Sequence, residues 1–174
     1  MEKKLIIVGL MVGLIFSCIS CSQIANQNPS AYSDALIVLS GAKNVHYQKL
    51  KGMDQIIYQL KEKYPASKAI SEISTQLKSK DWQALKRDYL NPDIPSSHVR
   101  GWTDFIDGTK RPNERVHQWL AQWQDKQGNI VWYVFKYTYP INSKPNLSEL
   151  KVFAGYVTAS LAELQQEEVG KYIQ

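Results

Sequence analysis

The apolar and polar positions of this chain fall into segments of different period. In Gln55–Tyr64, Ile56, Tyr58 and Leu60 alternate with Ile57, Gln59 and Lys61. In Asn44–Lys51, Val45, Tyr47 and Lys49 share one side, and Lys51-Gly52-Met53-Asp54 supplies a turn. Two alternating runs about such a turn predict a hairpin. Pro65 suits the first position of a helix, where its missing N–H costs nothing. Ala66, Ile70, Ile73 and Leu77 then recur as one stripe of a 3.6-residue period, and Lys78 and Lys80 bring favourable charge to its C-terminal end. Trp82–Tyr89 predicts a short returning strand. Asn91–Asn113 holds Pro92, Pro95, Gly101, Gly108 and Pro112 and predicts a long loop, with a single helical turn around Trp102–Ile106.

Glu114–Tyr139 is the dominant stretch. Two long runs of aromatic and β-branched residues flank the polar centre Gln124–Asn129, with Gly128 where a turn needs positive φ, and predict a second hairpin. On its first strand His117, Trp119, Ala121 and Trp123 share one side, and Val116, Gln118, Leu120 and Gln122 the other. Pro140–Ser148 reads as a loop, Leu150–Ser160 as a third long strand, and residues 161–174 as a charged, helix-prone tail. Ala35–Leu39 is a short apolar run, either an edge strand or a packed lead-in. Strands and helix do not alternate as βαβα. The expected class is therefore α+β: two layers, an antiparallel sheet of about five to six strands with one main helix packed on one face. The tryptophan side of the second hairpin is expected under that helix. Trp102, Trp119, Trp123, Trp132, Tyr133, Tyr137, Tyr139 and Tyr156 are read first as packing residues and second as a binding face.

The N-terminus has another character. Met-Glu-Lys-Lys precedes the uncharged run Leu5–Phe16, which is shorter than the roughly 20 residues of a spanning helix and fits a secretory signal. Small residues follow, with the only cysteines, Cys18 and Cys21. Ile15-Phe16-Ser17-Cys18 places an aliphatic residue three before a cysteine, and Cys18-Ile19-Ser20-Cys21 places small or aliphatic residues before the second. This order of charge, apolar run and cysteine resembles bacterial lipoprotein precursors. The resemblance implies export, removal of residues 1–17, and a diacylglycerol thioether on Cys18, with Cys21 as the alternative. Several acyl chains on one residue give stable membrane attachment. The residue after either cysteine, Ile19 or Ser22, is not the aspartate that tends to retain such proteins in the inner membrane. The resemblance thus implies an outer-membrane anchor facing the periplasm. Residues 18–33 then form a lipidated tether rich in Ser, Gln and Asn, and 34–174 a single domain.

Charge and composition narrow the function further. The chain has 174 residues and net charge +5, and removing Glu2, Lys3 and Lys4 (net +1) leaves +4. The basic residues are dispersed, so no nucleic-acid patch is expected. No cysteine follows Cys21, which excludes a disulfide within the folded part. His46, His98 and His117 stand at no metal-ligand spacing, and neither a metal nor a cofactor is expected. Ser96-Ser97-His98 reads as turn residues, since a nucleophile and its base come from distant segments. Asp104 and Asp107 form the one candidate carboxylate pair, and Asp is equally a turn residue. The leading expectation is a non-catalytic binding or accessory module for a protein or envelope component. Its expected contact site is the loop bearing Arg100, Trp102, Phe105, Lys110 and Arg111. The alternative is a small hydrolase or ligand-binding domain with its site between the 91–113 loop and the sheet, using His98, Asp104 or Asp107.

Overall fold

The computed structural model describes residues 28–85, 102–106, 114–143 and 149–165. A 3-10 turn at Pro29–Ala31 leads into an irregular segment and then β1 (Lys43–Leu50) and β2 (Met53–Glu62). Helix α1 (Ala66–Ser79) follows, then the two-residue strand β3 (Gln83–Ala84), β4 (Trp102–Ile106), β5 (Glu114–Gln124), β6 (Ile130–Pro140) and β7 (Glu149–Val157). Residues 159–165 begin a second helix. The strands form one open antiparallel sheet in the order β1-β2-β7-β6-β5-β3, and β4 pairs with β5 beside β3. Sheet dominates this mixed α and β fold.

Local chemistry sets the turns. Lys51 (φ 49°) and Gly52 (φ 81°) make a two-residue connection with positive φ at both positions, which matches the right-handed twist of the strands it joins. Between β5 and β6, the Asp125 carboxylate accepts the N–H groups of Gln127 and Asn129, each at 2.9 Å, and Gly128 takes φ 87°. This Asx turn lets the chain reverse.

Period-2 alternation divides the buried residues into two sets. The first combines Ile56, Tyr58 and Leu60 of β2, Val152 and Ala154 of β7, Tyr133 and Phe135 of β6, and Trp123 of β5 with Ala66, Ala69, Ile73 and Leu77 of α1. The tryptophan side of the second hairpin belongs to this cluster, with Trp119 half-buried against it. The second set is Met53, Ile130, Trp132, Val134, Phe153 and Val157, joined by Ala162 and packed by Leu85, Leu120 and Leu161. These alternate with the first set along the same strands and so lie on the other side of the sheet.

Several expectations need correction. Trp102–Ile106 is a strand, not a helical turn in a loop: its register with Arg115–Trp119 is continuous, and ladder hydrogen bonds replace the local ones a turn would make. Ala35–Leu39 is a packed lead-in rather than an edge strand. Trp82 is buried ahead of the strand it was expected to start, and β3 covers only Gln83–Ala84 of Trp82–Tyr89, residues 86–89 lying outside the described residues. The third long strand ends at Val157. The residues after it are more than a tail: Leu161 and Ala162 pack on the second apolar set, and the Ala159 N–H donates to Asn129 Oδ1 at 3.0 Å.

Candidate functional site

Strand β4 carries two of the five residues of the expected contact site, Trp102 and Phe105. Arg100, Lys110 and Arg111 lie outside the described residues, as do Cys18 and Cys21, His98, Ser96, Ser97 and Asp107. The backbone pairing defines how β4 is held. Asp125 N–H donates to the Asn129 carbonyl, so the odd-numbered residues of β5 bond to β6 and the even-numbered ones face outward. The Leu85 N–H accordingly reaches the Gln122 carbonyl at 2.9 Å. In β4 it is then Thr103 and Phe105, opposite Gln118 and Val116, that exchange bonds with β5. The N–H and C=O groups of Trp102, Asp104 and Ile106 point away from the sheet. Among the described residues no strand pairs with that outer edge.

The register sets Asp104 opposite His117. The His117 imidazole is half-buried and stacks on the Tyr137 ring, with centroids 6.5 Å apart. His46 lies on β1, with β2, β7 and β6 between it and β5, so the fold does not bring these two histidines together. Among the described residues no group of three His, Cys, Asp or Glu side chains is placed to hold a metal ion. No described helix is long and apolar enough to cross a membrane.

Tyrosine hydroxyls do work that residue periodicity could not reveal. Tyr133 Oη accepts the Ile37 N–H at 2.7 Å and donates to the Ala35 carbonyl at 2.6 Å. Tyr58 Oη donates to the Ile37 carbonyl at 3.2 Å, and Tyr137 Oη to the Tyr64 carbonyl at 2.8 Å. The lead-in that Tyr133 and Tyr58 hold is buried at Ala35, Leu36, Ile37 and Leu39, while Tyr137 ties the start of α1. Burial pushes the Tyr58 and Tyr133 hydroxyls well above the ordinary tyrosine range, because a phenolate there would lose its hydration. These tyrosines are structural clamps rather than a ligand-lining surface. Further ties run from Ser33 N–H to Asp54 and from Lys80 to the carbonyl and carboxylate of Asp34.

On the side of the sheet away from α1, Gln48, Gln55, Ile57, Trp132 and Phe153 line a recess of about 10 Å³. Gln55 is 3 % exposed; its Oε1 accepts from Gln48 Nε2 at 2.7 Å, and its Nε2 has no hydrogen-bond partner among the described residues. A space of that size holds about one water and no organic ligand. Beside it the Trp132 indole lies against the Gly155 backbone so closely that a Cβ there would overlap the ring. Glycine inside an alternating strand was the available signal for this close approach. No family model, curated protein or solved structure matches this chain.

Proposed function

We propose that the chain is a membrane-anchored envelope lipoprotein whose folded part is a non-catalytic accessory module that binds a protein or envelope component. In this reading the domain is a two-layer α+β unit, a reading supported by the shared burial of α1 and one side of the sheet. The anchor is the acylated Cys18, or Cys21, on an outer membrane facing the periplasm. The observation that carries the binding role is the position of β4: an edge strand bearing Trp102 and Phe105, flanked in sequence by Arg100, Lys110 and Arg111. An extended segment of a partner can add to such an edge through main-chain hydrogen bonds, with the neighbouring side chains giving selectivity.

The test is photo-crosslinking in the cell envelope. A photoreactive residue at position 102 or 105 is expected to give a discrete adduct, and one at Glu72 on α1 none. Adduct no stronger at 102 and 105 than at 72 sinks the assignment. Mass spectrometry of the mature N-terminus decides whether an acyl group is present and on which cysteine. The Asp104–His117 register supports a second reading, a small hydrolase. In that case Asp104→Asn abolishes hydrolysis of a chromogenic ester while leaving the melting temperature in place.

A further inference from the structure

The chain enters the described structure beside the β1–β2 turn. The Tyr32 ring lies 5.0 Å from that of Tyr47 on β1, Lys49 Nζ sits 5.6 Å from the Tyr32 ring centroid, and Ser33 N–H bonds Asp54 at 3.0 Å. From Cys21 to Asn28 is seven residues, which reach at most about 25 Å when fully extended, and from Cys18 ten residues reach about 35 Å. If either cysteine is acylated, the tether joins the domain on its β1 side. Five strand steps separate β1 from β4, roughly 24 Å at the usual spacing.

That edge has the chemistry of a lipid-facing surface. From Gly41 to Met53 there are three lysines, one histidine and no Asp or Glu. Lys43 and Lys51 are exposed, and the Lys49 side chain is 61 % exposed while paired with Asp54 at 2.9 Å. Val45 stands out 41 % exposed, and the Tyr32 and Tyr47 rings are half-buried, packed against each other and the first apolar set. Amphipathic rings and lysines are the side chains that settle at a headgroup boundary, and each lysine adds attraction to an anionic leaflet. The same strand is unsuited to a protein strand. Asn44 takes φ 53°, the register slips between Lys43 and His46, and lysines line the edge, all devices that obstruct strand addition.

We propose that the β1 edge, Lys43–Lys51, docks on a bilayer surface that carries anionic lipid, so that β4 is presented away from the membrane. This rests on the lipid-anchor reading above. The experiment uses the full acylated chain in vesicles of phosphatidylcholine with and without phosphatidylglycerol, reading backbone amide exchange over residues 43–51. Exchange is expected to slow several-fold only in the anionic vesicles. The effect should vanish near 1 M salt, where the screening length falls to about 3 Å. It should also vanish in Lys43→Glu with Lys51→Glu. Vesicle flotation is measured in parallel. A chain that floats but exchanges equally in both vesicle types overturns the docking and leaves the anchor standing. Slowing that is equal with neutral lipid, or that survives salt and charge reversal, also overturns it. A chain that does not float overturns anchor and docking together.

Discussion

Tyr133 and Ile37 are joined through a hydroxyl that serves both polarities of the lead-in: its oxygen takes the Ile37 N–H at 2.7 Å while its proton goes to the Ala35 carbonyl. Both backbone groups are buried with no water-facing alternative, so the phenol ring alone is not enough. Tyr133→Phe keeps the ring and removes both bonds to the hydroxyl, leaving the Ile37 N–H and the Ala35 carbonyl only the 3.1 Å bond between them. The expected loss is about 0.5–1.5 kcal/mol for each hydrogen bond removed, read as a lowered denaturation midpoint. A variant as stable as the parent would show that the lead-in finds other partners.

The same clamp makes the fold sensitive to alkali. Desolvation raises the folded-state pKa of Tyr133 and Tyr58 above the unfolded value near 10. A raised pKa stabilises fully below the unfolded value, and the stabilisation is lost as pH climbs towards the folded one. Stability should therefore be flat below about pH 9.5 and fall above pH 10, by about 1.4 kcal/mol per pH unit for each tyrosine. Chemical denaturation between pH 8 and 11 measures the slope, and Tyr133→Phe should reduce it. An unchanged slope would remove Tyr133 as its source.

Gln55 costs the fold something. Its Nε2 is buried without a partner among the described residues, while Gln48, which bonds its other end, is half-buried. Gln55→Met gives up one hydrogen bond but removes the stranded donor. The melting temperature is expected to hold or rise, by an equivalent of up to about 1 kcal/mol. A fall of several degrees would mean that the amide pair is a net stabiliser.

Gly155 is where the Trp132 indole meets the backbone. Gly155→Ala forces the ring to move and should cost about 1–3 kcal/mol as overpacking, with a shift in tryptophan emission. Trp132→Leu in the same chain should recover part of that loss. Additive losses would place the strain elsewhere.

The parts legible in the sequence were those with a period. Ile56, Tyr58 and Leu60 alternating with Ile57 and Gln59 named the strand, and the structure packs the first of these sets under α1. The helix stripe gave α1 almost to the residue, though Ala69 is fully buried and Ile70 only half-buried, a small rotation that the spacing of four apolar residues does not fix. What escaped has no period. Strand β4 is five residues between glycines at 101 and 108, too short to show alternation around Asp104. The lead-in depends on Tyr133, 96 residues from Ile37 and 98 from Ala35, a relation that no local window contains. As for the contact site, Trp102 and Phe105 were singled out as loop residues and belong instead to a sheet edge.

The place of β7 has a consequence for when this molecule can exist. Among the described residues it is the last strand, yet it lies in the middle of the sheet, between β2 and β6. Until Glu149–Val157 arrives, the β1–β2 hairpin and the β5–β6 hairpin share no strand neighbour. A nascent chain cut short before Glu149 holds two ribbons and no common sheet. Closure of the sheet is thus deferred until β7 has been made, whatever the two hairpins have done before it.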